Sequence, residues 1–279
     1  MVTISSTDLD VVDGISPRKF YDRFVKTNTP VILQGMMDQW AAKEKWTFDF
    51  FRSLGSRSSV NVEEGNVFQG ETEFRRQRFC DYLDQVLDET PGQQVAYLSV
   101  FRIFDSFPEL HADVDFSLID QHKLKSSTVA WIGPADTVTG YHIDWGDNIL
   151  AQLQGRKHIH LAPPTATPNM YVSEKFEQGS TLSQVDFDNV DHDRFPNFSK
   201  VQHHEFVLNP GEMVFIPRGW WHHVRSLDKS ISVSNITYDL KGVLFDAFPF
   251  RIKQYLHDAG LWRCECTCHV IRDGRWTRK

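Results

Sequence analysis

The chain has 279 residues, 41% hydrophobic and 24% charged, with a formal net charge of −7, the composition of a globular protein long enough to bury a large core. The acidic balance gives no general affinity for nucleic acid and leaves only a local basic groove as a route to it. No run approaches the roughly 18 apolar residues of a membrane span, the N-terminus lacks a basic-then-apolar secretory pattern, and four cysteines, three of them bunched near the C-terminus, make no disulfide framework. The expectation is an intracellular protein of the cytoplasm or nucleus, with no membrane partner.

In chain order, Ser16 and Pro17 stand as N-cap and first residue of a helix in which Phe20, Phe24 and Val25 recur at helical spacing. Val31 to Leu33, with turn residues on both sides, form a short buried strand. Thr47 caps a second helix that ends near Gly55, and Val60-Asn61-Val62-Glu63 alternates as an edge strand. Apolar residues at 79, 82, 83, 86 and 87 make a helical stripe stopped by Pro91-Gly92. Residues 1–94 are therefore an α+β flank.

From Val95 the pattern changes. Strand-like segments recur at 95–101, 128–132, 148–153, 156–161, 204–208, 213–216, 222–226 and 231–238, punctuated by Gly, Pro and Asn. Many short strands so spaced predict a sandwich or barrel over 95–240. The stretch from Pro163 to Lys200 is too long for a simple connection and belongs with functional or mobile loops. Helical sequence returns from Val243 to Leu256, so 241–279 is expected to be a helical tail. No repeat or linker divides the chain, and one domain is expected.

The chemistry centres on Tyr141-His142-Ile143-Asp144. Two residues apart on a strand, His142 and Asp144 share a face and lie roughly 7 Å apart along the chain. An imidazole and a carboxylate so placed are two of the three ligands of a mononuclear iron site that keeps its other positions open. The third is sought in Pro217-Arg218-Gly219-Trp220-Trp221-His222-His223-Val224, where His222 shares a face with Val224 and is the better inward candidate than His223. In Arg156-Lys157-His158-Ile159-His160-Leu161, alternation puts Lys157 on the face of Ile159 and Leu161, toward the core. A buried ammonium there needs an anion, such as the carboxylate of a bound organic acid; a lysine at a strand end that snorkels to solvent is the alternative. Asn235 shares a face with Ile231 and Val233, and its amide serves either a ligand or neighbouring backbone.

His142-x-Asp144, a lysine fifteen positions on (157 − 142 = 15), and Pro217-x-x-Trp220-Trp221-His222-His223 together resemble the JmjC, or cupin-8, family of iron(II) and 2-oxoglutarate oxygenases. Val138-Thr139, Gly155-x-Lys157, Ser183 to Asn189 and Arg194 to Phe198 are similar to its asparaginyl-hydroxylase branch, typified by factor inhibiting HIF. The resemblance implies a double-stranded β-helix (jelly roll, cupin) core with flanking helices. It also implies His142, Asp144 and His222 as iron ligands, and Lys157 on the distal carboxylate of 2-oxoglutarate with help from Thr139 and Tyr97. Asn148 and Asn235 would line the same cosubstrate pocket. The implied cofactors are Fe(II), 2-oxoglutarate and O2, and the implied reaction hydroxylates a protein or peptide side chain with release of succinate and CO2. The residues that grip the target asparagine in that branch are replaced here by Leu182 and Thr237, so asparagine itself is not secured as the target. N-methyl-lysine demethylation, a tRNA or small-molecule hydroxylation, and a catalytically inactive cupin-like scaffold are the alternatives.

Cys264-Glu265-Cys266-Thr267-Cys268-His269 invites a zinc reading. Its cysteines are spaced too closely for the usual paired arrangement, and four well-separated ligands are not evident, so partly buried thiols are expected instead. The apolar stretch from Leu244 to Leu256 either packs on the barrel or forms a homodimer interface, as the corresponding region does in the resembled branch.

Overall fold

A computed structural model describes residues 9–55, 58–65, 67, 73–88, 96–120, 123–177, 179–262, 265–266, 268–272 and 275–278. The first strands are β1 (Val11–Asp13), β2 (Val31–Gln34), β3 (Ser59–Glu64), β4 (Glu73–Arg78) and β5 (Leu98–Phe101). The core strands follow as β6 (Lys125–Gly133), β7 (Val138–Asp144), β8 (Asp147–Gln154), β9 (Lys157–Ala162), β10 (Ser180–Leu182), β11 (His204–Leu208), β12 (Met213–Ile216), β13 (Trp221–Ser226) and β14 (Ser230–Tyr238). A hairpin of β15 (His269–Arg272) and β16 (Arg275–Arg278) lies beyond them.

A seven-stranded sheet in the order β1-β2-β12-β8-β14-β6-β5 faces a five-stranded sheet in the order β10-β7-β13-β9-β11. Along the chain β6, β8, β12 and β14 belong to the first sheet, and β7, β9, β11 and β13 to the second. This crossing from sheet to sheet is the jelly-roll, or double-stranded β-helix, arrangement. Alternation explains the layers. On β8 and β12, Leu150, Val214 and Ile216 point inward to meet Ile159, Leu161 and Val224 of the opposite sheet. Ile149, Ala151, Met213 and Phe215 point outward into a second core, formed with Phe20, Phe24, Trp46, Phe51 and Phe79 of the N-terminal region. Both faces of the larger sheet are thus buried, at about 1.5–3 kcal/mol for each large apolar side chain.

The helices of the flank form where the sequence places them. The helix α1 (Pro17–Phe20) continues into a π-helical turn, Tyr21–Val25, and Ser16 occupies its cap position without a side-chain bond. The short helix α2 (Ala41–Lys45) leads to α3 (Phe48–Ser53), which is capped by Thr47, whose Oγ1 accepts from the Phe50 amide at 3.0 Å. The stripe at 79–87 is α4 (Phe79–Leu87), with Phe79, Tyr82, Leu83 and Val86 buried. Single-turn helices α5 (Ile103–Ser106) and α6 (Ser117–Asp120) connect β5 to β6, and α7 (Phe248–Asp258) follows β14.

One expectation changes. The segment after Lys241 is helical only to Asp258 and ends in the β15–β16 hairpin, so the tail is not helical throughout. The alternating 60–63 segment lies on β3, an edge strand as expected, in a two-stranded sheet with β4. The long 163–200 stretch is no bare loop; it carries β10, whose register with β7 sets Leu182 opposite His142 and Ser180 opposite Asp144.

Candidate metal and cosubstrate site

Neighbouring strands of the smaller sheet assemble the site. His142 of β7 sits directly opposite His222 of β13 in the ladder, and the two rings stand 3.9 Å apart between centroids. Asp144, two residues along β7, presents Oδ1 at 3.8 Å from His142 Nε2 and Oδ2 at 3.6 Å from His222 Nε2. The two histidines are oriented by their other nitrogens: His142 Nδ1 donates to Gly140 O at 2.8 Å, and His222 Nδ1 donates to Trp220 O at 3.1 Å. Those bonds fix the tautomers and turn both Nε2 lone pairs toward the carboxylate, as metal-binding histidines require. Burial first, and then the neighbouring His222, hold the His142 imidazole well below its usual pKa, so it stays neutral and available as a ligand.

Asp144 is held by neutral donors, Asn148 Nδ2 at 3.2 Å and Ser180 Oγ at 3.3 Å. Among the described residues no lysine or arginine pairs with it. A buried cluster of two imidazole lone pairs and one carboxylate, all within 4.8 Å of one another, fits a divalent cation of the 2-His-1-carboxylate kind.

Lys157 lies on β9, opposite Ser226 of β13. Ser226 is four residues from His222, or about 13 Å along the strand. The lysine is 2% exposed, and its recorded hydrogen-bond partner is the Tyr97 hydroxyl at 3.0 Å. Burial drops its pKa to about 7. Its parity with Ile159 and Leu161 places the ammonium inside the barrel, and no carboxylate among the described residues pairs with it. The cavity between the sheets is lined by His142, Asp144, His222, Lys157, Tyr97, Thr139 and Asn148 together. The Asn148 side-chain oxygen is buried in it without a hydrogen-bond partner. An unneutralised ammonium at one end and a metal triad at the other suit a small dicarboxylate, which is the chemistry of 2-oxoglutarate.

Thr139 and His142 are three residues apart yet line the same cavity, which strict alternation forbids. The ladder between β7 and β13 shifts register here: His222 faces His142, but Val224 faces Thr139, so three steps on β7 match two on β13. The bulge at Gly140–Tyr141 absorbs the extra residue.

Asn235 does not join this group. Its amide oxygen accepts from Thr128 Oγ1 at 3.1 Å, and its Nδ2 donates to Asp120 Oδ1 at 3.0 Å. The face it shares with Ile231 and Val233 packs against the outer helices, and it is the serine face of β14 that looks inward. Ser234 lines the cavity and accepts from Trp131 Nε1 at 3.1 Å. The sequence signal was present in Ser230, Ser232 and Ser234, a stripe of small polar residues that leaves room for a ligand. His223 faces the other side of the sheet from His222, against Tyr141, Phe187 and Asp188. The two positions that replace a substrate grip are both buried, Leu182 on β10 and Thr237 donating to Asp147 O at 3.2 Å.

A second, outer cleft opens on the far side of Asp144, which lines both spaces. Its walls include Trp145 and Phe250, packed edge-to-face at 4.6 Å, with Arg218 and Lys253 at its rim.

The family model described as a cupin-like domain matches residues 17–240. Lysine-specific demethylase 8 of Xenopus tropicalis is 34% identical over 236 residues, covering 82% of this chain and 53% of that protein. Lysine-specific demethylase JMJ30 of Arabidopsis thaliana is 35% identical over 228 residues, covering 79% and 52%. Human HSPB1-associated protein 1 is 29% identical over 248 residues, covering 78% and 49%. The chain spans about half the length of these curated relatives. Two of the three carry demethylase names, which supports the broader family and not the asparaginyl-hydroxylase branch in particular. No helix among the described residues is long and apolar enough to cross a membrane.

Proposed function

The chain belongs to the cupin-like domain family, and from that premise we propose that it is an iron(II)- and 2-oxoglutarate-dependent oxygenase acting on a protein side chain. The observation that carries the reading is Lys157, a buried ammonium with no counter-anion among the described residues, in one cavity with the His142–Asp144–His222 triad. When bound, iron(II) and 2-oxoglutarate would supply the oxidising chemistry, consuming O2, releasing succinate and CO2, and placing one oxygen atom into a substrate C–H bond.

The protein's own residues do the rest. His142 and His222 would hold the metal through Nε2, each locked by a backbone carbonyl at its Nδ1, and Asp144 would supply the charge. Lys157 and Tyr97 would bind the far carboxylate of the diacid, with Thr139 beside them. Trp131 and Leu150 wall the cavity against water. The target side chain would enter through the outer cleft, which reaches the same carboxylate from the other side.

An N-methylated lysine is the target favoured by the aromatic faces of Trp145 and Phe250, since methylammonium groups are held by such faces, and it agrees with the names of the relatives. Hydroxylating an N-methyl group yields a carbinolamine that releases formaldehyde. Lys253 favours a second reading, stable hydroxylation of an uncharged side chain, because a cation lining the cleft opposes a cationic target. The test incubates the iron-loaded chain with 2-oxoglutarate and matched methylated and unmethylated peptides, following succinate and peptide mass. Methyl loss with formaldehyde supports demethylation, while a mass gain of one oxygen supports hydroxylation. Succinate that neither peptide accelerates overturns both. Leu244, Phe245, Phe248, Ile252 and Tyr255 remain exposed and form the surface through which two copies would pair. Sedimentation of Ile252→Asp beside wild type tests that pairing.

A further inference from the structure

The closely spaced cysteines of the tail gain from the fold what the sequence does not show, a distant histidine. His257, in the last turn of α7, is fully buried. It meets Cys266, Cys268 and His269 so that one potential ligand atom from each lies within 4.8 Å of every other. His257 Nε2 stands 3.2 Å from His269 Nδ1. Cys268 Sγ is 3.4 Å from His257 Nε2 and 3.3 Å from His269 Nδ1, and Cys266 Sγ is 3.6 Å from His269 Nδ1.

Those spacings have a simple source. Around a tetrahedral zinc with the usual bond lengths, two nitrogens are about 3.3 Å apart and a nitrogen and a sulfur about 3.6 Å apart. The measured distances match within a few tenths of an ångström. The outward nitrogens carry the supports that zinc-binding histidines use. His257 Nδ1 donates to Trp262 O at 2.9 Å, and His269 Nε2 faces Asp258 Oδ1 at 3.7 Å. With its Nδ1 proton on the Trp262 carbonyl, His257 presents the Nε2 lone pair to the cluster. The His269 amide also donates to Cys266 Sγ at 3.1 Å, a contact that strengthens when the sulfur is a thiolate.

We propose that His257, Cys266, Cys268 and His269 form a structural zinc site, separate from the iron triad. With all four tetrahedral positions filled by protein atoms, it is a closed site that serves structure rather than catalysis. Its place in the fold gives it a task. The His257 ring stacks on Phe176 at 4.2 Å, Phe176 stacks on Phe250 at 5.7 Å, and Phe250 packs on Trp145 beside Asp144. The Phe176 amide donates to Glu265 O at 3.0 Å, tying the tail to the segment that precedes β10. Zinc would therefore fasten α7, the tail and the 163–200 stretch together at one wall of the outer cleft. The assignment stands on its own residues and does not depend on the reaction proposed above.

The test uses the full chain carrying His142→Ala and His222→Ala, so that the iron triad cannot hold zinc, and measures metal by mass spectrometry after extensive dialysis. About one zinc per chain is expected, and adding Cys266→Ser with Cys268→Ser should remove it. A folded His142→Ala/His222→Ala protein free of zinc overturns the proposal, as does zinc retained after both cysteines are replaced. Because the cysteine variants can fail to fold, cobalt substitution of the protein with its tail intact gives an independent reading. Tetrahedral ligand-field bands with sulfur-to-cobalt charge transfer are expected, and an octahedral spectrum without charge transfer overturns the site. X-ray absorption at the zinc edge should show two sulfurs and two nitrogens; a third sulfur would overturn this ligand set.

Discussion

Lys157 Nζ stands 3.0 Å from the Tyr97 hydroxyl, with both side chains only 2% exposed, and the hydroxyl accepts the bond without supplying a negative charge to the ammonium. Burial also pushes the tyrosine hydroxyl well above its usual pKa, so it remains a neutral phenol. Among the described residues no carboxylate pairs with the ammonium.

With its pKa at about 7, Lys157 is largely neutral at pH 8, and a dicarboxylate that pairs with it must bring a proton along. Calorimetry at pH 8 in buffers of different ionisation enthalpy should record uptake of close to one proton per 2-oxoglutarate bound. Lys157→Met should abolish the uptake and weaken 2-oxoglutarate about 100- to 1000-fold, the cost of removing one partner of a buried ion pair. Metal affinity should change little.

The same group sets a pH dependence of stability without cosubstrate. The folded pKa, about 7, lies below the ordinary lysine value of 10.5, so between those limits the unfolded chain binds more protons and folding stability rises with pH. Below pH 7 the burial cost is fully present, roughly a few kcal/mol for a sealed ammonium. Urea unfolding should show wild type gaining on Lys157→Met from pH 7 to 10, and Lys157→Met the more stable protein at pH 6.

Asn148 and Ser180 hold the two oxygens of Asp144 from opposite sides. Replacing either by alanine leaves all three metal ligands in place but frees the carboxylate to rotate. Iron(II) affinity should fall about 10-fold for each single variant, as read by anaerobic titration. His142→Ala should remove binding and succinate formation together.

How much of this was legible follows from strand parity. Lys157 was readable because β9 has two apolar neighbours on one face, and that face is the interior of the barrel. Asn235 obeyed the same rule and misled. β14 is buried on both sides, so an apolar face does not say which core it serves, and Ile231 and Val233 serve the outer one. The zinc-type cluster was unreadable for another reason. His257 is separated from Cys266 by a turn, and only the return of the chain against Phe176 brings them together. The β3–β4 pairing was missed because a charged strand such as Glu73–Arg78 shows no hydrophobic period.

Phe250 links the outer cleft to the tail through Trp145 on one side and Phe176 on the other. Phe250→Ala should raise KM for a methylated peptide about ten-fold by removing an aromatic face. Succinate formation in the absence of peptide should be unaffected, because the inner cavity does not include this ring. Steady-state kinetics with and without peptide separate the two effects.

The bulge at Gly140–Tyr141 makes room on β7 for one residue that regular pairing with β13 would exclude. Deleting either bulge residue would restore regular pairing with β13, and a regular strand is ordinarily the easier one to fold. Thr139 and His142 would then stand two residues apart and keep one face, so the ligands would stay in the cavity while the strand lost what the extra residue supplies. Deleting Gly140 removes the carbonyl that accepts from His142 Nδ1 at 2.8 Å, so the variant should fold and hold iron(II) less tightly. The irregularity therefore sets the angle of an imidazole, not the side of the sheet on which it lies.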